Sequence, residues 1–234
     1  MARVLVTRPE PAATRTARRL TARGHRPIVA PMLVMQALAL SPDIADGGEP
    51  VVALTSARAV EAVAGTPAWN RLAGRTFVAV GSATAEAARA AGAAEVIACG
   101  GTLETVVDRL GEMRPAGGVL YLAGRQRSGD LCARLADRGI ACRMQEVYDM
   151  AIAPVWPEAA RRAIEEAGPL SVLVYSRRSG EAAAAALSQV AAPGPVTFVA
   201  ISEQAVEPVR HLGACRVAAA PCETELIALL DETC

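Results

Sequence analysis

Lysine is absent from these 234 residues, and all 24 basic side chains are arginines. Without lysine, neither Schiff-base chemistry nor a phosphate loop built on a lysine is available. Histidine is scarce: His25 and His211 are the only two, and neither stands beside a serine or cysteine motif that it could activate. Aromatic residues make up 3% of the chain, so the core must be built from Val, Leu, Ile and Ala. The formal net charge is zero, because 24 acidic residues balance the arginines. Such a chain has no global field to hold nucleic acid or an anionic membrane. No apolar run approaches the ~20 residues of a membrane span. The opening stretch Met1–Pro9 lacks the apolar centre of a secretory leader. A cytoplasmic protein is expected. The six cysteines, Cys99, Cys132, Cys142, Cys215, Cys222 and Cys234, form no CxxC pair and match no zinc spacing. They are expected to be buried free thiols in a reducing compartment.

What is present is a rhythm of short apolar runs and helical stretches. Val4–Val6, Val51–Leu54, Phe77–Val80, Val119–Leu122, Val172–Tyr175 and Phe198–Ile201 are continuously apolar. Strands buried on both faces read this way, so parallel strands are expected. Each run leads through a polar turn into a segment of helical period. Thr14–Arg23, Ala83–Ala91, Gly129–Arg138 and Glu181–Gln189 are the clearest of these. Repeated β-turn-α units define an α/β class with parallel sheets.

The chain also repeats itself. Arg3-Val-Leu-Val-Thr-Arg leads through a helix to Leu20-Thr-Ala-Arg-Gly, as Val119-Leu-Tyr-Leu-Ala-Gly-Arg leads to Leu135-Ala-Asp-Arg-Gly. Val52-Ala-Leu-Thr-Ser matches Leu173-Val-Tyr-Ser, and Val78-Ala-Val-Gly-Ser matches Val199-Ala-Ile-Ser. The same order in both halves indicates two similar sheets from one duplicated unit. Taken alone, these repeats suggest tandem domains meeting near Pro115-Ala-Gly-Gly.

Five ordered signals cover nearly the whole chain: Val4-Leu-Val-Thr-Arg-Pro, Leu54-Thr-Ser-Ala-Arg-Ala-Val-Glu-Ala, Val80-Gly-Ser-Ala-Thr-Ala-Glu-Ala, Glu146-Val-Tyr and Tyr175-Ser-Arg-Arg-Ser. No one of them is specific; in this order and spacing the chain resembles the uroporphyrinogen-III synthases. The resemblance implies two flavodoxin-like α/β domains, each a parallel sheet flanked by helices, joined by two crossing segments. It replaces the tandem parse with an inserted one. Domain 1 would be residues 1–33 and 152–234, domain 2 residues 38–146, and the linkers 34–37 and 147–151. Pro154, Trp156 and Pro157 would fit the re-entry into domain 1.

The resemblance further implies a cyclising hydro-lyase, without metal or other cofactor, acting as a monomer in a cleft between the domains. Its substrate would be hydroxymethylbilane, a linear octacarboxylate tetrapyrrole, closed to uroporphyrinogen III with inversion of ring D and loss of water. The electron-rich pyrrole drives that reaction, so the protein's part is orientation. Tyr148 falls on the family's Val-Tyr position and is the expected proton donor to the departing hydroxyl; hinge packing is its plainer role.

Carboxylate binding suits the turns that follow parallel strands, where backbone N–H groups and short hydroxyls meet at helix starts. The expected substrate-binding residues are Thr7 and Arg8; Thr55, Ser56 and Arg58; Gly81, Ser82 and Thr84; Gly124 and Arg125; Ser176 and Arg177; and Ser202 and Gln204. Ser82 or Thr84 could equally be plain helix caps, as could Ser56 and Ser176. Ser202-Glu-Gln departs from the Gly-x-Thr-Thr usual in the family, which puts a hydroxyl contact there in doubt. Arg127 and Arg178 also lie beside these turns, where guanidinium groups suit bidentate carboxylate binding. Tyr121, Tyr175, Trp69 and Trp156 are expected to pack.

Three other readings remain. A non-catalytic two-domain module binding a carboxylated small molecule or tetrapyrrole would show the same fold and turns. So would a regulatory paralogue that has lost activity. A nucleotide-binding or signalling α/β protein is disfavoured, because neither GxGxxG nor GxxxxGK[ST] occurs.

Overall fold

The computed structural model describes residues 1–127, 129–153, 157–166, 168–190 and 194–231. Pro154, Trp156 and Cys234 lie outside them. The chain divides into two compact units, Met1–Val34 with Ala151–Cys234, and Met35–Met150.

The first unit holds a five-stranded parallel sheet. Its strands are β1 (Arg3–Val6), β2 (Arg26–Val29), β9 (Leu170–Val174), β10 (Val196–Ala200) and β11 (Ala214–Val217), in the order β11-β10-β9-β1-β2. The inner strands are buried on both faces, as a parallel sheet covered by helices requires. Phe198, Val172 and Leu5 pack on one side; Val4, Val6, Leu173 and Val199 pack on the other. Helix α1 (Ala12–Ala22) buries Ala13, Thr16 and Leu20 on one stripe. Helix α8 (Arg177–Leu187) approaches the short helix α9 (Glu203–Val206) through Gly180, where a side-chain carbon would come to 2.6 Å from the Ala205 carbonyl oxygen.

The second unit holds a six-stranded sheet of β3 (Leu33–Ala37), β4 (Val51–Leu54), β5 (Thr76–Ala79), β6 (Glu95–Ala98), β7 (Val119–Gly124) and β8 (Cys142–Ile152), in the order β3-β8-β7-β4-β5-β6. One face carries Trp69, which stacks near Phe77 at 5.1 Å between centroids and donates from Nε1 to the Ala91 carbonyl at 2.7 Å. It is a core residue, not a stacking platform. The other face packs Val51, Ala53, Val78, Val106, Leu110 and Tyr121.

The duplication is visible in the strand orders. Pairing β9 with β4, β10 with β5, β11 with β6, β1 with β7 and β2 with β8 makes the two orders coincide, as β11-β10-β9-β1-β2 and β6-β5-β4-β7-β8. The units are the same fold entered at different points of the chain. In each, neighbouring strands β9 and β1, or β4 and β7, lead to connections that run in opposite directions. That is the topological switch point, where open α/β sheets form their binding crevices.

One expectation is corrected. Cys132, in helix α6 (Leu131–Ala136), and Cys142, the first residue of β8, form a disulfide with Cα atoms 5.1 Å apart. They stand ten positions apart in sequence, and the turn after α6 brings the chain back so that the sulfurs meet. Cys99 and Cys215 remain free and half-buried, and Cys222 is free and exposed. The segments expected to be linkers have strand conformation. Residues 34–37 lie in β3 and 147–151 in β8, neighbours in one sheet. Their half-exposed, mixed sequences carry no buried-strand signature.

Candidate functional site

The second unit contains a hollow of ≈ 340 Å³ at the switch point, lined by Thr55 and Ser56 after β4, by Gly124, Gln126 and Arg127 at the end of β7, and by Tyr121 and Tyr148. Val80, Gly101, Leu103 and Gly129 complete its wall.

Its geometry begins with a flaw in strand pairing. Leu122 pairs with Gln145 and Ala123 with Glu146, but Gly124 pairs with Tyr148. Val147 is the extra residue of a bulge. Because side chains alternate along a strand, one added residue re-aims every side chain beyond it. The register is closed by Arg125 N–H donating to the Tyr148 carbonyl at 2.9 Å. Tyr148 is thereby laid over Gly124 and lines the hollow, with 9% of its surface exposed.

Tyr121 reaches the hollow from the other face of the sheet. Its hydroxyl and that of Thr55 lie 2.8 Å apart in a hydrogen bond, and the residue is 3% exposed. Burial raises its pKa above the ordinary tyrosine value, with the Thr55 hydrogen bond working the other way. Ser56 caps helix α2 (Ala57–Val63), its Oγ accepting from Arg58 N–H at 3.2 Å.

The arginines are held by acids. Arg127 Nη1 lies 3.0 Å from Glu146 Oε1 and donates to the Gly124 carbonyl at 2.8 Å. Arg125 reaches Glu146 Oε2 at 3.2 Å and Asp149 Oδ2 at 3.4 Å. The Arg127 and Arg125 guanidinium groups, in that order, hold the Glu146 carboxyl below its usual range. Among the described residues Arg58 has no acidic partner.

Of the residues expected from sequence, Thr55, Ser56, Gly124 and Tyr148 line this hollow together. Gly81 stands near it: a side-chain carbon there would be 3.6 Å from Gly101 Cα. Gly81 itself is the cap position of helix α4 (Ser82–Ala90), so neither Ser82 nor Thr84 caps it; Ser82 is exposed and Thr84 buried. Tyr121, expected only to pack, was missed. The available signal was its hydroxyl, which a tyrosine buried inside a strand must satisfy. Gly101 and Leu103 were missed because they come from another turn, and Gln126 was passed over between Arg125 and Arg127.

In the first unit, the switch point gathers Thr7 and Arg8 after β1 with Tyr175, Ser176 and Arg177 after β9. Thr7, expected as a ligand contact, is wholly buried and donates to the Leu173 carbonyl at 2.6 Å. Arg8 stacks 4.5 Å from the Tyr175 ring centroid and pairs with Glu223 at 3.0 Å. Tyr175 is pushed up to about 12, chiefly by burial. Ser176 forms a reciprocal capping box with Ser179, Arg177 pairs with Glu181 at 3.1 Å, and Ser202 caps α9, where Gln204 is exposed.

No group of three or more His, Cys, Asp or Glu among the described residues could hold a metal ion. No helix among them is long and apolar enough to cross a membrane.

A family model described as "Uroporphyrinogen-III synthase HemD" matches residues 14–228. Uroporphyrinogen-III synthetase from Helicobacter pylori superposes with a TM-score of 0.65 at 15% identity, covering 100% of this chain and 99% of that one. A mutant uroporphyrinogen III synthase from Thermus thermophilus aligns at 18% identity with a TM-score of 0.46, over 100% of this chain and 98% of that one. No curated protein matches the chain.

Proposed function

Because the chain belongs to the uroporphyrinogen-III synthase family, we propose that its switch-point turns grip hydroxymethylbilane while Tyr148 assists departure of the terminal hydroxyl. The reaction is ring closure to uroporphyrinogen III with loss of water. The pyrrole nitrogen lone pair expels the hydroxyl, which leaves as water with a donated proton, and ring D attacks the resulting cation through its substituted carbon to give a spiro intermediate. The old bond from that carbon to the ring C bridge then breaks, and the bridge carbon is retaken by the free α-carbon of ring D, which loses its proton. Orientation decides the product, since spontaneous closure yields isomer I; the protein acts as an entropy trap.

The observation that carries this reading is the hollow at the β4/β7 switch point, where Tyr148, Thr55 and Ser56 meet. A tyrosine hydroxyl is a hydrogen-bond and proton donor, and Tyr148 would give its proton to the leaving hydroxyl as a general acid. Thr55, Ser56 and the α2 start offer donors to carboxylates, and Arg58, Arg125 and Arg127 supply positive charge. Gly81, Ser82 and Thr84 form the adjoining turn. At its own switch point the first unit offers Arg8, Ser176 and Arg177, with Thr7 inside the turn, and Ser202 and Gln204 stand at the start of α9. The working unit is taken as one chain in the cytoplasm, with no nucleic-acid or membrane partner.

The test is enzymatic. Purified protein is supplied with hydroxymethylbilane, and the uroporphyrinogen isomers are separated after oxidation. Isomer III in large excess is expected. Isomer I alone would leave only a tetrapyrrole-binding module.

A further inference from the structure

We propose that Tyr121 is a positioning residue: it donates its phenolic proton to Thr55 Oγ1 and so leaves the Thr55 proton aimed into the hollow, for a carboxylate. The inference deepens the reading above and rests on it.

The geometry comes first. Tyr121 Oη and Thr55 Oγ1 are 2.8 Å apart, and both residues line the same hollow. Distance alone permits either oxygen to donate. Chemistry favours the phenol, which is the stronger acid and the weaker acceptor of the two, its lone pair being shared with the ring. Burial keeps the phenol protonated, with its pKa above the ordinary value. With Tyr121 donating, the only hydroxyl proton left to this pair is that of Thr55. A group that can only accept then completes the chain, and ionised carboxylates are such groups. Successive hydrogen bonds polarise one another, so the phenol strengthens the Thr55 donor.

The pair is also held stiffly. Tyr121 stands in the middle of β7, packed among Val51, Ala53, Val78, Leu110 and Leu131. Ala53, two residues before Thr55, is its register partner in β4. The threonine is therefore oriented by the neighbouring strand rather than by its own turn. Tyr148 enters the hollow from the opposite face of the sheet, in the cluster with Val52, Leu54 and Val147. The two phenols thus divide the work: Tyr148 assists the leaving hydroxyl, and Tyr121 acts through Thr55.

The experiment compares wild type, Tyr121→Phe, Thr55→Val and the double variant. Kinetics use hydroxymethylbilane, and Kd is measured by titration with uroporphyrin, a product-like octacarboxylate. Tyr121→Phe keeps the packing ring and removes only the hydroxyl. The expected result is about a tenfold rise in KM and in the uroporphyrin Kd, with kcat changed less, as for one weakened charge-assisted hydrogen bond. In the Thr55→Val background the same change should have almost no effect, because the two hydroxyls act as one donor. Additive effects, or a KM and Kd within about twofold of wild type, would overturn the proposal. If wild type makes only isomer I, the proposed activity fails by itself. The uroporphyrin arm then still decides the role of Tyr121.

Discussion

The phenol of Tyr148 lies directly on Gly124: a side-chain carbon at Gly124 would come within 2.6 Å of Cζ and 2.7 Å of the hydroxyl oxygen. Gly124 is not among the residues with positive φ, so its backbone does not demand glycine. The ring does. The bulge at Val147 brings the two residues into register, and the missing side chain gives the phenol its seat.

Replacing Gly124 by alanine should therefore displace Tyr148 while leaving the strand paired. Overpacking of this kind costs about 1–3 kcal/mol. A lower melting temperature is expected together with a fall in kcat/KM of about tenfold on hydroxymethylbilane. Unchanged kinetics with a lowered melting temperature would show that the phenol's position is irrelevant to turnover.

Tyr148→Phe isolates the hydroxyl from the ring. Because the pyrrole itself drives ionisation, activity should fall without vanishing, by about ten- to a hundredfold in kcat, at the lower end of what a positioned acid contributes. Isomer III should still dominate, since the ring's shape is kept. Complete loss of activity would give Tyr148 a larger part than assisting a leaving group.

Glu146 binds Arg127 and Arg125 at 3.0 and 3.2 Å, so it partly cancels the charge beside the hollow. Glu146→Gln should free Arg127 for a polyanion and leave Arg125 with Asp149 as its acidic partner. The expected outcome is a KM lower by about two- to fivefold at low salt, with the advantage shrinking as ionic strength rises. A higher KM would mean that Glu146 serves to hold Arg127 in place.

Away from the hollow, Arg143 grips the buried Glu49 with two contacts, at 2.5 Å and 2.9 Å, and Arg75 stands 3.5 Å away. The Arg143 hydrogen bond holds the Glu49 pKa below its ordinary value of 4.5. A depressed carboxyl stabilises the fold fully above the unfolded pKa and loses that contribution as pH falls through the folded one. Glu49→Gln should cost about 1–3 kcal/mol at neutral pH. The gap between the variant and wild type, followed by thermal unfolding, should stay constant above pH 4.5 and close in more acid solution. A gap that widened in acid would contradict the pairing.

The Cys132–Cys142 bridge predicts that both thiols resist alkylation in unfolding conditions until a reductant is added. A bridge closing a short loop is worth about 2–3 kcal/mol. Cys132→Ser should lower the melting temperature of the oxidised protein towards that of the reduced one. Full alkylation without reductant would refute the bridge.

The inner strands were legible because burial on both faces leaves a continuous apolar run. Val4–Val6, Val51–Leu54 and Val119–Leu122 fall within β1, β4 and β7. The edge and near-edge strands β2, β3, β6, β8 and β11 were not. Their residues are half-exposed and mixed in character, and only hydrogen bonds to a neighbour make them strands. Thr55, Ser56 and Gly124 were read from a pattern of turns after strands, and Tyr148 from the family's Val-Tyr position. Tyr121 was hidden, because a tyrosine inside an apolar run reads as core until its hydroxyl is seen to meet Thr55.

By itself the sequence determined the β-turn-α repeat, the inner strands and the duplicated order of units, because these depend on local periodicity and on which residues avoid water. Tertiary structure alone decided which copy joins which sheet. The β1 register runs against β9 and the β4 register against β7, although each pair is distant in sequence. Tertiary structure also decided that one extra residue, Val147, would seat a phenol on Gly124. Hydrogen-bond register between strands is a non-local quantity, and no stretch of chain carries it until its partner is in place.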